Sequence, residues 1–269
     1  MKRSLHIGIN DYPGTDSDLV GCVNDAQDWR GALALHGFDD QTEMLNAVAT
    51  KKTILIFMKD IIAKTQAGDI TVITYSGHGT WVPDKDGDEA DGRDEALCPW
   101  DFAKGEVLTD DELYAVFSEC NPAARLIFIS DSCHSGSVAR AAVTMPGVKP
   151  DGWSFQKTRF LSPVIALPDA MHPVARRVAR RPIRGKLKDS ALLLAGCRDH
   201  EYSYDAWFNE RPNGALTYTA LQALKDLPAD ATYTDWYKAI RKHLPHAQYP
   251  QTPQLFGSDE QKAWKVLEA

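Results

Sequence analysis

Two short apolar runs, Ile70 to Tyr75 and Leu126 to Ile129, limit what this chain can fold into more than any other feature. Both are rich in Ile, Val and aromatic residues, and both end in polar or glycine residues. A run that is apolar at nearly every position, rather than at alternate ones, fits a strand buried on both faces. Such strands belong to mainly parallel sheets covered by helices on either side. The flanking sequence agrees. Leu5, Ile7 and Ile9 alternate as a strand, residues 21 to 36 read as a helix closed by Gly37, and a short strand lies near Glu43 to Leu45. Thr50 offers an N-cap to a helix whose apolar positions Ile54, Phe57, Met58, Ile61 and Ile62 recur at helical spacing. Further on come a strand at Ala191 to Ala195, helices near 215 to 225 and 233 to 243, and a last strand around Gln254 to Phe256. The alternation predicts an α/β fold, a sheet of mostly parallel strands flanked by helices. Ligands of such sheets bind beyond the carboxyl ends of the strands. There lie Ser76-Gly77-His78-Gly79 and Asp131-Ser132-Cys133-His134-Ser135-Gly136.

With 269 residues, 43% of them hydrophobic, the chain can build one large α/β domain or two small ones. No apolar run approaches the ~18 residues that a membrane span needs. The opening MKRSLHIGIN reads as a strand and not as the apolar core of a signal peptide. Five widely spaced cysteines with no C-x-x-C pair suggest neither a disulfide framework nor a zinc site, so a reducing, cytoplasmic setting is expected. Thirty basic against 37 acidic residues leave a net charge of −7, which argues against general nucleic-acid binding. That total conceals two opposed blocks. Asp84 to Glu112 carries 12 acids and 3 bases, whereas Arg140 to Lys188 carries 11 bases and 2 acids. The basic block also holds Pro146, Pro150, Pro163, Pro168, Pro173 and Pro182. Proline and charge together predict an exposed linker loop over 141–188, between a region at 1–140 and another at 189–269.

Cys133 and His78 stand just past the two central strands, 55 residues apart, among small residues that let a peptide backbone come close. A thiol, a base and nearby backbone donors are what a cysteine peptidase requires. On extended segments Asp131 projects with Cys133, and Ser76 with His78, while the adjacent His134 projects away from the thiol and is the weaker base. An acid two residues from a nucleophile offers a partner to a basic substrate side chain.

Tyr75-Ser76-Gly77-His78-Gly79 and Asp131-Ser132-Cys133-His134-Ser135-Gly136-Ser137 resemble the two catalytic motifs of metacaspases, within the caspase-like peptidase clan. Further matches run in order: Gly8-Ile9-Asn10, Gly21-Cys22-Val23-Asn24-Asp25-Ala26, Asp94-Glu95-Ala96-Leu97-Cys98-Pro99, Thr109-Asp110-Asp111-Glu112-Leu113, Ala195-Gly196-Cys197-Arg198-Asp199 and Gly214-Ala215-Leu216-Thr217-Tyr218. The resemblance implies a caspase-like sheet. It also implies that Cys133 attacks the scissile carbonyl, that His78 carries the proton to the leaving amine, and that the N–H groups of Cys133 and Gly79 hold the oxyanion. In metacaspases the residues matching Asp25, Ser76 and Asp131 line the pocket for the residue before the cut, which implies cleavage after Arg or Lys. Bidentate pairing with carboxylates favours Arg.

Asp84, Asp86, Asp88 and Glu95 have EF-hand spacing, but Glu89 stands where the turn requires Gly. Residues matching Asp94, Asp110 and Asp111 bind activating Ca²⁺ in many metacaspases, although Arg140 replaces a fourth family acid. A solvated acidic face is the other reading of this block; the chemistry itself needs no cofactor. In this clan the 141–188 segment would join the large and small subunits, and cleavage there often accompanies activation. Arg176, Arg177, Arg180 and Arg184 are the candidate cut sites. The expected partners are protein or peptide substrates bearing basic residues, with an activating protease or regulator. The contrasting reading is a non-catalytic interaction module of caspase fold.

Overall fold

The structure, a computed structural model, describes residues 1–84, 92–133, 145–147, 154–163 and 190–268. Its strands, in chain order, are β1 (Lys2–Gly8), β2 (Asp40–Leu45), β3 (Ile70–Ser76), β4 (Gly79–Pro83), β5 (Arg93–Leu97), β6 (Leu108–Thr109) and β7 (Arg125–Asp131). β8 (Met145–Gly147), β9 (Ser154–Thr158), β10 (Leu192–Ala195), β11 (Tyr204–Phe208), β12 (Arg211–Gly214) and β13 (Gln254–Phe256) follow. The helices are α1 (Cys22–Leu35), α2 (Lys51–Lys64), α3 (Asp110–Phe117), α4 (Ala215–Lys225), α5 (Tyr233–Ile240) and α6 (Asp259–Lys262).

The main sheet runs β13-β10-β7-β3-β1-β2, parallel except for β13, and its two middle strands are the two apolar runs. Their uniform burial follows from the two-residue period of a strand. Leu126 and Phe128 face one way, onto Ile54 and Met58 of α2 and Val116 and Phe117 of α3. Ile127 and Ile129 face the other, onto Trp29 and Leu33 of α1, Leu216 and Ala220 of α4 and Trp236 of α5. Each such side chain contributes about 2 kcal/mol by leaving water. Aromatic edges lock both layers: Phe117 meets Phe128 at 5.3 Å, and Trp29 meets Trp236 at 6.1 Å.

Local signals end the helices where expected. The Thr50 hydroxyl accepts the Thr53 N–H at 3.3 Å and caps α2, while Gly37, at φ +78°, turns the chain out of α1. Phe57 departs from expectation: it stands 38% exposed at the rim of the apolar stripe.

Two smaller sheets frame the carboxyl ends of β3 and β7. One is β4-β5-β6; the other is β12-β11-β9-β8, in which β9 pairs antiparallel with β11. β9 corrects the expectation of an exposed loop, at least for the described part of 141–188. Residues 154–158 form a strand, and Arg159 and Leu161 beyond it are buried. The reason is local: the stretch between Pro150 and Pro163 contains no proline but has Trp153, Phe155, Phe160 and Leu161, so it differs from the average of its block. Among the described residues no helix is long and apolar enough to cross a membrane.

Candidate functional site

β3 and β7 are neighbours in register, Ser76 opposite Asp131, so His78 and Cys133 leave adjacent strand ends. Residue 77, between β3 and His78, has no room for a side chain. A Cβ there would sit 2.6 Å from the Tyr12 hydroxyl and 2.7 Å from that of Tyr75. Those hydroxyls fix His78. Tyr12 accepts the His78 N–H at 2.7 Å, and Tyr75 donates toward the carbonyls of His78 and Cys98, 2.8 Å from each. Burial pushes both phenols well above their ordinary values, so they remain neutral donors.

The His78 imidazole leans on the Tyr12 ring, centroids 4.7 Å apart, and its Nε2–H donates to the Ser17 carbonyl at 2.6 Å. That bond selects the tautomer and leaves Nδ1 as a bare acceptor. Nδ1 is buried and has no hydrogen-bond partner among the described residues. Burial lowers the imidazole to about 4 against the pull of the Ser17 carbonyl; the Arg159 guanidinium adds to the lowering and the Arg159 carbonyl opposes it. His78 is therefore neutral at pH 7, with a lone pair available beside Arg159.

Cys133 is fully buried, and its Sγ accepts the Ser203 N–H at 2.5 Å. The backbone donors of the site converge on one oxygen. The Gly79 N–H at 2.9 Å and the Cys133 N–H at 3.1 Å both donate to the carbonyl of Arg159. Arg159 in turn donates its own N–H to the Ser203 carbonyl at 2.9 Å.

The Arg159 side chain is 0% exposed and ends among three carboxylates. Its Nη2 lies 2.6 Å from Asp25 Oδ2 and 3.0 Å from Asp205 Oδ1, and its Nη1 lies 3.3 Å from Asp131 Oδ2. The acids are held by the frame as well as by the guanidinium. Asp25 accepts the Gly214 N–H and the Asn213 amide. Asp131 accepts the Thr217 N–H in the first turn of α4 and the Ser203 hydroxyl. Asp205 accepts N–H groups of Val20 and Gly21 at the entry to α1. Burial raises Asp25 to about 6, with the Arg159 guanidinium lowering it and Asp131 raising it. Gly214 completes the wall, since a Cβ there would overlap Asp131 Oδ2 and the guanidinium.

The structure thus brings His78, Gly79, Cys133, Asp25 and Asp131 around one residue, with Ser76 buried at the strand end beside Asp131. Asp205, Ser17, Ser203 and Arg159 join them. Asp94 lies on β5, and Asp110 and Asp111 open α3. Among the described residues no group of three His, Cys, Asp or Glu side chains is arranged to hold a metal ion. His134, Arg140, Arg176, Arg177, Arg180 and Arg184 lie outside the described residues.

Known proteins share this arrangement of sequence and fold. Residues 2–141 match the family described as metacaspase, peptidase C14 domain. The chain is 30% identical to Metacaspase-1 of Scheffersomyces stipitis, over 97% of this chain and 71% of that one. It is also 30% identical to Metacaspase-1A of Neurospora crassa, over 96% of this chain and 63% of that one. The crystal structure of protein GSU0716 from Geobacter sulfurreducens superposes with a TM-score of 0.74 at 28% identity, covering 99% of this chain and 98% of that one.

Proposed function

Because the chain belongs to the metacaspase family of cysteine-type peptidases, we propose that it is an endopeptidase that cuts protein or peptide chains after Arg or Lys, with Cys133 as nucleophile and His78 as proton carrier. The observation that carries this reading is the three-carboxylate pocket joined to two backbone donors aimed at one carbonyl oxygen. A guanidinium in the pocket sets the carbonyl of its own residue between the N–H groups of Gly79 and Cys133, as Arg159 does. His78 Nδ1, kept bare by the bond from Nε2–H to Ser17, takes the Cys133 proton. The thiolate attacks, and the two N–H groups take up the oxyanion charge; one such donor is worth about 10²–10³ in rate. His78 returns the proton to the leaving amine, and water then hydrolyses the thioester. No step passes through a metal. Processing within 141–188 is the activating event in this reading.

The test is turnover of fluorogenic peptides ending in Arg, Lys or Asp, with Ca²⁺ or with a chelator, before and after light tryptic nicking. Arg should exceed Lys, Asp should be inert, and Cys133→Ala should lose about 10³-fold or more. Folded protein that turns over none of them under any condition is the interaction module instead. A Ca²⁺ dependence removed by Asp94→Asn and Asp110→Asn would establish the metal site.

A further inference from the structure

The Cys133 thiol has a second thiol beside it. β10 lies next to β7 in the main sheet, in parallel register with Ala195 opposite Ser130, and the Gly196 N–H donates to the Ser130 carbonyl at 2.9 Å. The two chains therefore leave the sheet side by side, one toward Cys133 and the other toward Cys197. The Cys197 thiol reaches back across the gap. It donates toward the Ser132 carbonyl at 3.8 Å, and that oxygen belongs to the peptide unit that leads into Cys133. Residues 201 to 203 then hold both sulfurs. Cys197 Sγ lies 3.5 Å from the Glu201 carbonyl, and Cys133 Sγ lies 3.4 Å from the Ser203 carbonyl while accepting the Ser203 N–H. The two thiols also share a side-chain hydrogen bond; the Cys133 thiol first, then burial, pushes Cys197 well above its ordinary value.

Peptide hydrolysis as derived above gives Cys197 no task, since Cys133, His78 and two backbone N–H groups suffice. A sulfur against a nucleophilic sulfur has a chemistry of its own. A disulfide needs α-carbons about 4.4–6.8 Å apart, and a side chain already in contact with its partner's peptide unit requires no shift of either strand end. The other cysteines are placed differently. Cys22 and Cys98 are sealed in the core with Tyr12 and Tyr75, and Cys120 lies just past α3. Cys197 is 8% exposed, and Cys133 stands where a scissile carbonyl has to arrive, so a path that admits a peptide admits a molecule as small as hydrogen peroxide.

We propose that Cys133 and Cys197 form a peroxide-reactive dithiol, a modification site in which Cys197 resolves the oxidised nucleophile as a disulfide and so switches the peptidase off reversibly. The effect on turnover rests on the peptidase reading above, whereas the bond itself does not. The step balances with one peroxide as the oxidant. Cys133 Sγ, its proton taken by His78, attacks one peroxide oxygen; the O–O bond breaks, and the departing hydroxide takes up that proton as water. Cys197 Sγ then attacks the Cys133 sulfenic sulfur. The S–S bond forms, the S–O bond breaks, and the hydroxide leaves with the Cys197 proton as a second water. Two thiols lose two electrons, the peroxide gains them, and a dithiol reductant reverses the change. Without Cys197 the sulfenic acid has no resolving thiol at hand and proceeds to sulfinic acid, which dithiols do not reduce.

The experiment treats the folded full chain with hydrogen peroxide, then with a dithiol, and follows arginine-peptide turnover together with peptide mass mapping of every cysteine, for wild type, Cys197→Ser, Cys120→Ser and Cys133→Ala. Treated wild type should lose turnover about tenfold or more, yield a Cys133–Cys197 cross-linked peptide two hydrogens lighter than the reduced pair, and regain most of the loss with the dithiol. Cys197→Ser, measured against its own reduced rate, should regain less than about a tenth, with Cys133 found as sulfinic acid. Cys120→Ser should follow wild type, and Cys133→Ala should give no cross-link to Cys197. If Cys197→Ser does not fold, the cross-link in wild type and its absence from Cys133→Ala decide the matter. Wild type with Cys133 oxidised but not joined to Cys197, or Cys197→Ser that recovers as wild type does, overturns the proposal and leaves the peptidase reading intact. No cross-link under a peroxide excess overturns it whatever the turnover. A mapped cross-link in protein inert toward every peptide supports the bond and overturns the peptidase reading.

Discussion

Acidification should unload the arginine pocket before it protonates the base. Burial lifts Asp25 to about 6 even with the guanidinium opposing the rise. Below that pH Asp25 takes up a proton, and the 2.6 Å bond from the Arg159 Nη2 loses its anionic acceptor. The acid limb of turnover for an arginine peptide is therefore expected near about 6, where Asp25 takes up its proton beside a bound guanidinium. A charge-assisted hydrogen bond of this kind is worth about 1.5–3 kcal/mol, or roughly 10- to 150-fold in kcat/KM. His78 stays neutral through this window in the filled site, because burial holds it near 4. The assay is steady-state turnover between about pH 5 and 8 of paired peptides with arginine or citrulline before the cut, since citrulline keeps the shape and lacks the charge. Asp25→Asn should lower the arginine rate at high pH by the same factor and remove the limb. A limb unchanged in Asp25→Asn, or shared in full by the citrulline peptide, refutes the assignment.

Three further outcomes follow from the geometry. Gly214→Ala places a methyl group against Asp131 and the bound guanidinium and should cost arginine-peptide turnover about 10- to 100-fold. Gly31→Ala, with open space around its α-carbon, should match wild type in the same assay. Tyr12→Phe removes the acceptor of the His78 N–H, so kcat should fall about tenfold while KM stays within about twofold; a change in KM alone would show that Tyr12 does not position the base. His6 and His78 are both held near 4 by burial and titrate near 6.5 when unfolded. The unfolded state therefore binds more protons between these values, and stability falls as pH drops from about 6.5 to 4, by about 3 kcal/mol for each. Asp25, raised in the fold, works in the opposite direction, so urea melts of uncut Cys133→Ala carrying Asp25→Asn isolate the histidines; a flat profile contradicts their burial as neutral groups.

What the sequence disclosed depended on how each residue acts. β3 and β7 were legible because every position of a doubly covered strand is apolar, and α2 because Thr50 and a helical stripe coincide. The β11–β12 hairpin was not. Its two-residue turn puts Asn209 and Glu210 at φ 50° and 63°, the geometry that an Asn-Gly pair would have advertised and Glu hides. Cys133, His78, Asp25 and Asp131 announced themselves through chemistry-bearing side chains in recognisable surroundings. Ser17 acts through its carbonyl, which any residue supplies, so no side-chain signal marks it. Arg159 was masked by its neighbours: one arginine in a block of 11 bases and six prolines looks like solvated charge, and only the pairing of β9 with β11 gives it a distinct address.

That address also bears on how the pocket comes to exist. Asp25, Asp131 and Asp205 are fixed by N–H groups of Gly214, Thr217, Val20 and Gly21, and all three are buried. Three such carboxylates facing one another without a cation carry a desolvation cost of several kcal/mol each. An empty, fully ionised pocket is thus a poor state in which to complete folding. An arginine from the same chain removes the difficulty before any substrate is present, and the planar guanidinium suits the task. Two terminal nitrogens of Arg159 reach all three acids, whereas a lysine ammonium is a single point on a flexible stem. The ion pairs of Arg159 with Asp25, Asp131 and Asp205 therefore stabilise the fold by giving three buried carboxylates a shared cation.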